Sequence, residues 1–262
     1  TRWARPTPFW TSSQGKMHVK KLVAALVVMC LAAAPAHAYQ VDPSYSSDRT
    51  ALAVVRPAGS WSGSDNALEE RPALSLSKLY LGYWVLYNGT EEDKELVQDM
   101  IAVSHDGYAQ RLDRKYPEAI DEIAEDFDLT ETARYGSWGR TVTSAYDVAK
   151  FVTDILWDPR AKPLLDGMID KPETARDGFE QLFGVANLDN VGGIKSGWSD
   201  DRVSQTGSVG FGETDGDVWV VAALTWGDAS DNTEDVRAGI IEREEPEPES
   251  QFQLTRESWT PG

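Results

Sequence analysis

The chain has 262 residues, 43 of them acidic and 25 basic, for a formal net charge of −18. A surface this negative repels nucleic acid and anionic lipid headgroups, so neither is expected as a partner. One cysteine cannot form an intramolecular disulfide, and three histidines leave little for a histidine-ligated metal site.

From Met17 the sequence reads MHVKKLVAALVVMCLAAAPAHA. Two lysines, an apolar run from Leu22 to Ala34 and Ala36-His37-Ala38 make the three parts of a secretory signal peptide over 17–38, with cleavage after Ala38 and a mature start at Tyr39. The run is too short for a comfortable membrane span. Met29 before Cys30 is too bulky for a lipoprotein signal, and residues 1–16 read as a non-native extension ahead of the true start. Removing 1–38 takes away five basic residues (Arg2, Arg5, Lys16, Lys20 and Lys21), the only cysteine and two of the three histidines. The remainder is more acidic still. His105 alone survives, which excludes two-histidine metal sites.

Residues 39–48 read as a linker. A buried strand is expected over 51–55 (ALAVV), then a turn-rich stretch from Pro57 to Asn66. The segment ERPALSLSKLYLGYWVL, 70–86, places Leu76, Leu79, Tyr83 and Leu86 on one helix face, with Pro72 at its head and Asn88-Gly89 closing it. Thr90 followed by three acidic residues opens a second helix that runs towards Ser104. Residues 117–126 and 144–157 also have helical spacing.

Past Gly192-Gly193 the period changes. Strands are expected at 194–199, 203–211 and 218–226, and an acidic, proline-rich tail at 243–262 is expected to be disordered. Helices in the middle and strands at the ends imply one α+β domain over 49–242, with an antiparallel sheet built from both chain ends. Trp84 and Trp219 are expected in the core rather than as sugar platforms.

Three polar groups interrupt these elements. Ser75 and Lys78 lie one helical turn apart, Ser104-His105-Asp106 ends the helix that contains MIAV, and Lys195-Ser196-Gly197 opens a strand in GGIKSGWSD. Alone, Ser75/Lys78 reads as a helix cap and a solvated lysine, since the same spacing recurs at Ser13 and Lys16. Together and in this order they match S-x-x-K, S-x-N and K-[ST]-G. On these motifs the chain resembles the serine penicillin-recognising superfamily, most closely its D-alanyl-D-alanine carboxypeptidases. RPALSLSKL is similar to the family's nucleophile segment, TVTSAYDVAKFV to its S-A-x-D-x-A helix, and GGIKSGWSD to its G-x-K-T-G-x-T-D strand.

The resemblance implies a β-lactamase/transpeptidase-like fold and a serine D,D-peptidase that acts on peptidoglycan stem peptides, or on β-lactams, without metal or cofactor. It implies Ser75 as nucleophile, Lys78 as base and Ser104 as proton relay. Lys195 and Ser196 would hold the substrate carboxylate, with Gly197 beside them, and the N–H groups of Ser75 and Trp198 would form the oxyanion hole. The chemistry is coherent. A helix N-terminus stabilises charge developing on a serine oxygen, and burial beside a second cation makes a lysine a base.

The second motif departs from the family's pattern. Asp106 stands where the family has asparagine; a carboxylate can only accept, and it favours the charged form of Lys78. The interval from Ser75 to Ser104 is also short, which implies a reduced helical region. A catalytically silent relative that binds cell-wall peptide or a protein partner is therefore the alternative. A serine β-lactamase ranks third. It would need a deacylating glutamate, for which LTETARYGSWGRT offers only Glu131.

Overall fold

The computed structural model describes residues 38–57 and 59–243. The expected extension at 1–16, nearly all of the expected signal peptide, and the expected tail beyond Arg243 lie outside the described residues.

The elements in chain order are β1 (Ala38–Val41), β2 (Thr50–Val55), β3 (Trp61–Gly63), β4 (Arg71–Pro72), α1 (Ser77–Asn88), α2 (Glu91–Lys94) and α3 (Val97–Ala102). Next come α4 (Asp106–Lys115), α5 (Ala119–Asp126), β5 (Val142–Thr143), α6 (Ala145–Ile155) and α7 (Lys162–Ile169). The chain closes with β6 (Val191–Trp198), β7 (Thr206–Thr214), β8 (Asp217–Thr225), α8 (Ala229–Gly239) and β9 (Ile240–Arg243). The main sheet has five strands in the order β3-β2-β8-β7-β6, every neighbouring pair antiparallel. Both chain ends contribute to it, as the distribution of strand patterns requires.

Alternation along the central strands makes two cores. Val220, Ala222 and Leu224 of β8 face α1 and α6, whereas Trp219, Val221 and Ala223 face β1 and α8. The β7–β8 hairpin turns on Asp215-Gly216 between the paired Thr214 and Asp217, both turn residues at positive φ (51° and 89°). That is the primed turn whose twist matches the strands. Helix α1 is apolar on nearly every side because it is buried from Ser77 through Leu86 between the sheet and the short helices. Thr143 joins Tyr80 of α1 to Thr132 through hydroxyl bonds of 2.8 and 2.9 Å, and Thr132 donates to Asp147 of α6 at 2.9 Å. Ser144 caps α6 by accepting from the Asp147 N–H at 3.0 Å.

Several expectations are corrected. Part of the 39–48 linker is strand: β1 pairs with β9, Tyr39 packs edge-on against Trp219 at 4.9 Å, and Val41 is buried. Pro72 does not open α1. It lies in the short β4–β5 pair, and a 3-10 turn, Leu74–Leu76, leads into the helix. The single helix expected over 90–104 is broken into α2 and α3, and beside the break Asp93 is fully buried. Its carboxylate accepts from Thr90, Tyr116, Lys115 and Arg111. Helix α4 is mostly polar, burying only Ala109, Leu112 and Asp113, so apolar periodicity does not reveal it. Helix α8 is equally polar, but its start is written as the Asp228/Asp231 capping box. Trp84 and Trp219 are buried, as expected of core residues.

Among the described residues Trp219 is the largest wholly buried side chain, and it anchors β1 to the sheet. Trp219→Ala should therefore destabilise the protein by about 3–5 kcal/mol, read as a lowered midpoint in urea unfolding with little change in slope.

Candidate active site

Three separate pieces of chain meet at one amine. Ser75 lies in the 3-10 turn before α1, and Lys78 is in the first turn of that helix. The Lys78 Nζ donates to Ser75 Oγ at 2.5 Å and to Asp106 Oδ1 at 2.7 Å, and reaches Ser104 Oγ at 3.5 Å. Lys195, from β6, approaches Ser104 from its own strand: its Nζ donates to Ser104 Oγ at 2.9 Å and to the Ser196 carbonyl at 2.7 Å. Ser104 thus bridges two buried lysines.

The backbone is bent to achieve this. Leu74, immediately before Ser75, has φ 52°, and so does Ser104. Left-handed backbone at non-glycine residues is uncommon and costs about 1–3 kcal/mol where surrounding structure holds it. Ser104 therefore does not simply end a helix. It sits between α3 and α4, and His105 starts α4 as its N-cap, its Nδ1 accepting from the Tyr108 N–H at 3.3 Å. The His105 ring stacks on Tyr108 at 3.7 Å, and burial with nearby Arg176 depresses its pKa. That capping role puts Asp106 at the exposed first turn of α4, its carboxylate aimed at Lys78.

Gly197 is where β6 meets the Ser75 turn. A Cβ there would come within 2.8 Å of the Ser75 backbone nitrogen and 2.9 Å of Leu74 Cβ, so only glycine lets strand and turn touch. Ser196 is turned elsewhere than expected: its hydroxyl donates to the Gln181 carbonyl at 2.7 Å. Trp198 stacks on Phe179 at 4.6 Å and donates its indole N–H to Asp177 at 3.0 Å. Glu131 spends its backbone N–H on Asp147 at 2.8 Å, and no described hydrogen bond joins it to Ser75 or Lys78.

Two contributors carry no signal in the motifs. Gln181 is buried and clasps the site from behind: its side-chain amide donates to the carbonyls of Ala102 (2.9 Å) and Pro172 (2.8 Å), and its own carbonyl holds Ser196. Trp138 lies over Lys78, with Nζ 4.0 Å from the ring centre. A tryptophan between Ser137 and Gly139 in GSWGR is the only sequence hint of it.

The electrostatics favour a titratable base. Burial drives the Lys78 pKa down to about 8, against the opposing pull of Asp106. Sequence alone suggests that Asp106 dominates; the zero exposure of Lys78 makes desolvation the larger effect. Lys195 is pushed well below the ordinary lysine range, first by burial and then by Lys78. A neutral amine held against a serine hydroxyl can accept its proton. Among the described residues no cluster of three or more histidine, cysteine or acidic side chains is placed to hold a metal.

No protein-family model matches the chain, and no curated protein matches it. Solved structures do. The cefotaxime-bound penicillin-binding protein D2 of Listeria monocytogenes aligns with a TM-score of 0.58 at 18% identity, over 75% of this chain and 97% of that one. A D-alanyl-D-alanine carboxypeptidase of Mycobacterium tuberculosis gives 0.56 at 14% identity, over 76% and 94%. A β-lactamase of Sphaerobacter thermophilus gives 0.57 at 14% identity, over 72% and 89%. The chain thus shares the fold of these penicillin-binding, carboxypeptidase and β-lactamase structures.

Asp106→Asn removes the charge that holds the proton on Lys78. The Lys78 titration midpoint should fall below its value of about 8, measured from the pH dependence of the lysine Cε resonance by NMR; an upward or absent shift would show that Asp106 does not act on it.

Proposed function

We propose that the protein is an exported serine D,D-peptidase that acylates itself at Ser75 on peptidoglycan stem peptides ending in D-Ala-D-Ala. The observation that carries this reading is the Lys78 amine, wholly buried and in hydrogen-bond contact with both Ser75 and Ser104. The acylated serine of such a peptidase needs a base within hydrogen-bond reach and a second group to return the proton. Here the two are side by side.

In this scheme Ser75 Oγ attacks the carbonyl carbon of the penultimate D-Ala while its proton passes to Lys78 Nζ. The positive end of α1 and the backbone N–H groups of Ser75 and Trp198 receive the developing oxyanion. Ser104, between the two lysines, passes a proton from Lys78 to the departing amine of the terminal D-Ala. Lys195 supplies the positive potential for that residue's carboxylate, and Gly197 holds the strand against the nucleophile turn. The acyl–Ser75 ester is then released to water or an amine. Export by the segment 17–38 would place the protein in the cell envelope, where this substrate occurs. Among the described residues no helix is long and apolar enough to cross a membrane.

A second reading rests on one observation. Lys195 and Ser196 are both only 1% exposed, and the Ser196 hydroxyl is already bonded to Gln181. A site closed in this way suits a non-catalytic relative that binds cell-wall peptide on its surface.

Incubation with a fluorescent penicillin followed by intact-mass measurement separates the readings. The wild type should gain one penicilloyl adduct and Ser75→Ala none; no adduct on a folded wild type would favour the silent binder. The acylation rate should climb as pH rises through about 8, where Lys78 loses its proton. In Asp106→Asn the same rise should occur at lower pH, so that acylation near neutrality is faster. The adduct should persist because no described bond places Glu131 beside it. Rapid loss would instead point to a β-lactamase.

A further inference from the structure

The Lys78 amine has no exposed surface, and its surroundings can be enumerated. Three oxygens take its three donor directions: Ser75 Oγ at 2.5 Å, Asp106 Oδ1 at 2.7 Å and Ser104 Oγ at 3.5 Å. The Trp138 ring, centred 4.0 Å away, covers it as well. The ring is not on a loose loop. Arg134 upstream is clamped to Asp113 by two bonds of 2.6 and 3.0 Å. Downstream the Thr141 carbonyl accepts from the Ala73 N–H at 2.8 Å, two residues before Ser75.

This enclosure bears on the fate of an acyl group on Ser75. Hydrolysis requires a water whose oxygen attacks the ester carbonyl carbon while its proton passes to a base. The carbon–Oγ bond then breaks, and Ser75 Oγ recovers a proton from that base. Lys78 is the titratable group that touches Ser75 Oγ, so this water must also reach Lys78 Nζ. We propose that Trp138 is a positioning residue that keeps water off the Lys78 amine, so that the acyl-enzyme is long-lived and its acceptor must enter on the side of Ser104 and Asp106. This rests on the reading of Ser75 as the acylated serine. An acceptor arriving through the space vacated by the leaving amine keeps its access. A bound penicillin, whose leaving amine stays tethered, blocks that route, leaving Trp138 to decide whether water can enter by another.

The test is the lifetime of the penicilloyl adduct, followed by intact mass after excess penicillin is removed. In Trp138→Ala, adduct that has already formed should decay about tenfold faster or more, whatever the change in its rate of formation; tenfold corresponds to about 1.4 kcal/mol of barrier. Trp138→Phe, which keeps an aromatic face over the amine, should restore a lifetime close to the wild type. If Trp138→Ala fails to fold by circular dichroism, Trp138→Leu carries the same expectation with less loss of packing. A labelled wild type whose truncated variant holds its adduct just as long overturns the role of Trp138 and leaves Ser75 acylation standing. A Phe variant that decays as fast as the truncation also overturns it. A wild type that takes up no adduct at all overturns the acyl-enzyme reading itself, and this inference with it.

Discussion

The burial of one ammonium group organises this molecule. Placing the Lys78 amine where water cannot reach it is costly unless its charge is partnered or abandoned. The fold supplies partners from Ser75 and Ser104 and a counter-charge from Asp106, and the depressed pKa shows how incompletely they offset desolvation. Much of the local backbone serves that arrangement. The left-handed residues Leu74 and Ser104 bring two hydroxyls to the amine, and the cap by His105 turns the first residue of α4 towards it. Gly197 allows β6 to touch the turn that carries Ser75, which brings Lys195 against Ser104.

That arrangement needs a rigid frame, because none of its pieces is adjacent in sequence. Helix α1 is held against the sheet through the apolar cluster it shares with α6, and the hydroxyl chain from Tyr80 through Thr143 and Thr132 to Asp147 fixes its register against α6. Gln181 fastens the end of α3, just ahead of Ser104, to Ser196 on β6. Two motifs are therefore tied together behind the site as well as across it. The substitution of Asp106 for an amide makes sense within this frame. It sits at the exposed start of α4, where a carboxylate is favoured by the helix dipole, and it returns part of the charge stabilisation that burial removes from Lys78.

Periodicity and turn chemistry in the chain determined the central elements: the buried strand ALAVV, the helix carrying Ser75 and Lys78, the helix after Ser144 and the three strands that follow Gly193. They determined too that the sheet draws on both ends, and the order of three short motifs marked Ser75, Lys78, Ser104 and Lys195. These features are legible because each is local: an apolar spacing, a cap, a pair one turn apart. Tertiary structure decided what no local pattern encodes. Tyr39 and Val41 became strand because β9, two hundred residues away, offered an edge and Trp219 a surface. Polar helices such as α4 stand because of where they pack, not what they contain. Trp138, from a 3-10 turn, and Gln181 entered the site from segments whose sequences show no chemistry. Whether Lys78 holds or yields its proton was decided there as well, since Asp106 is visible in the sequence but the exclusion of water that outweighs it is a property of the packed interior alone.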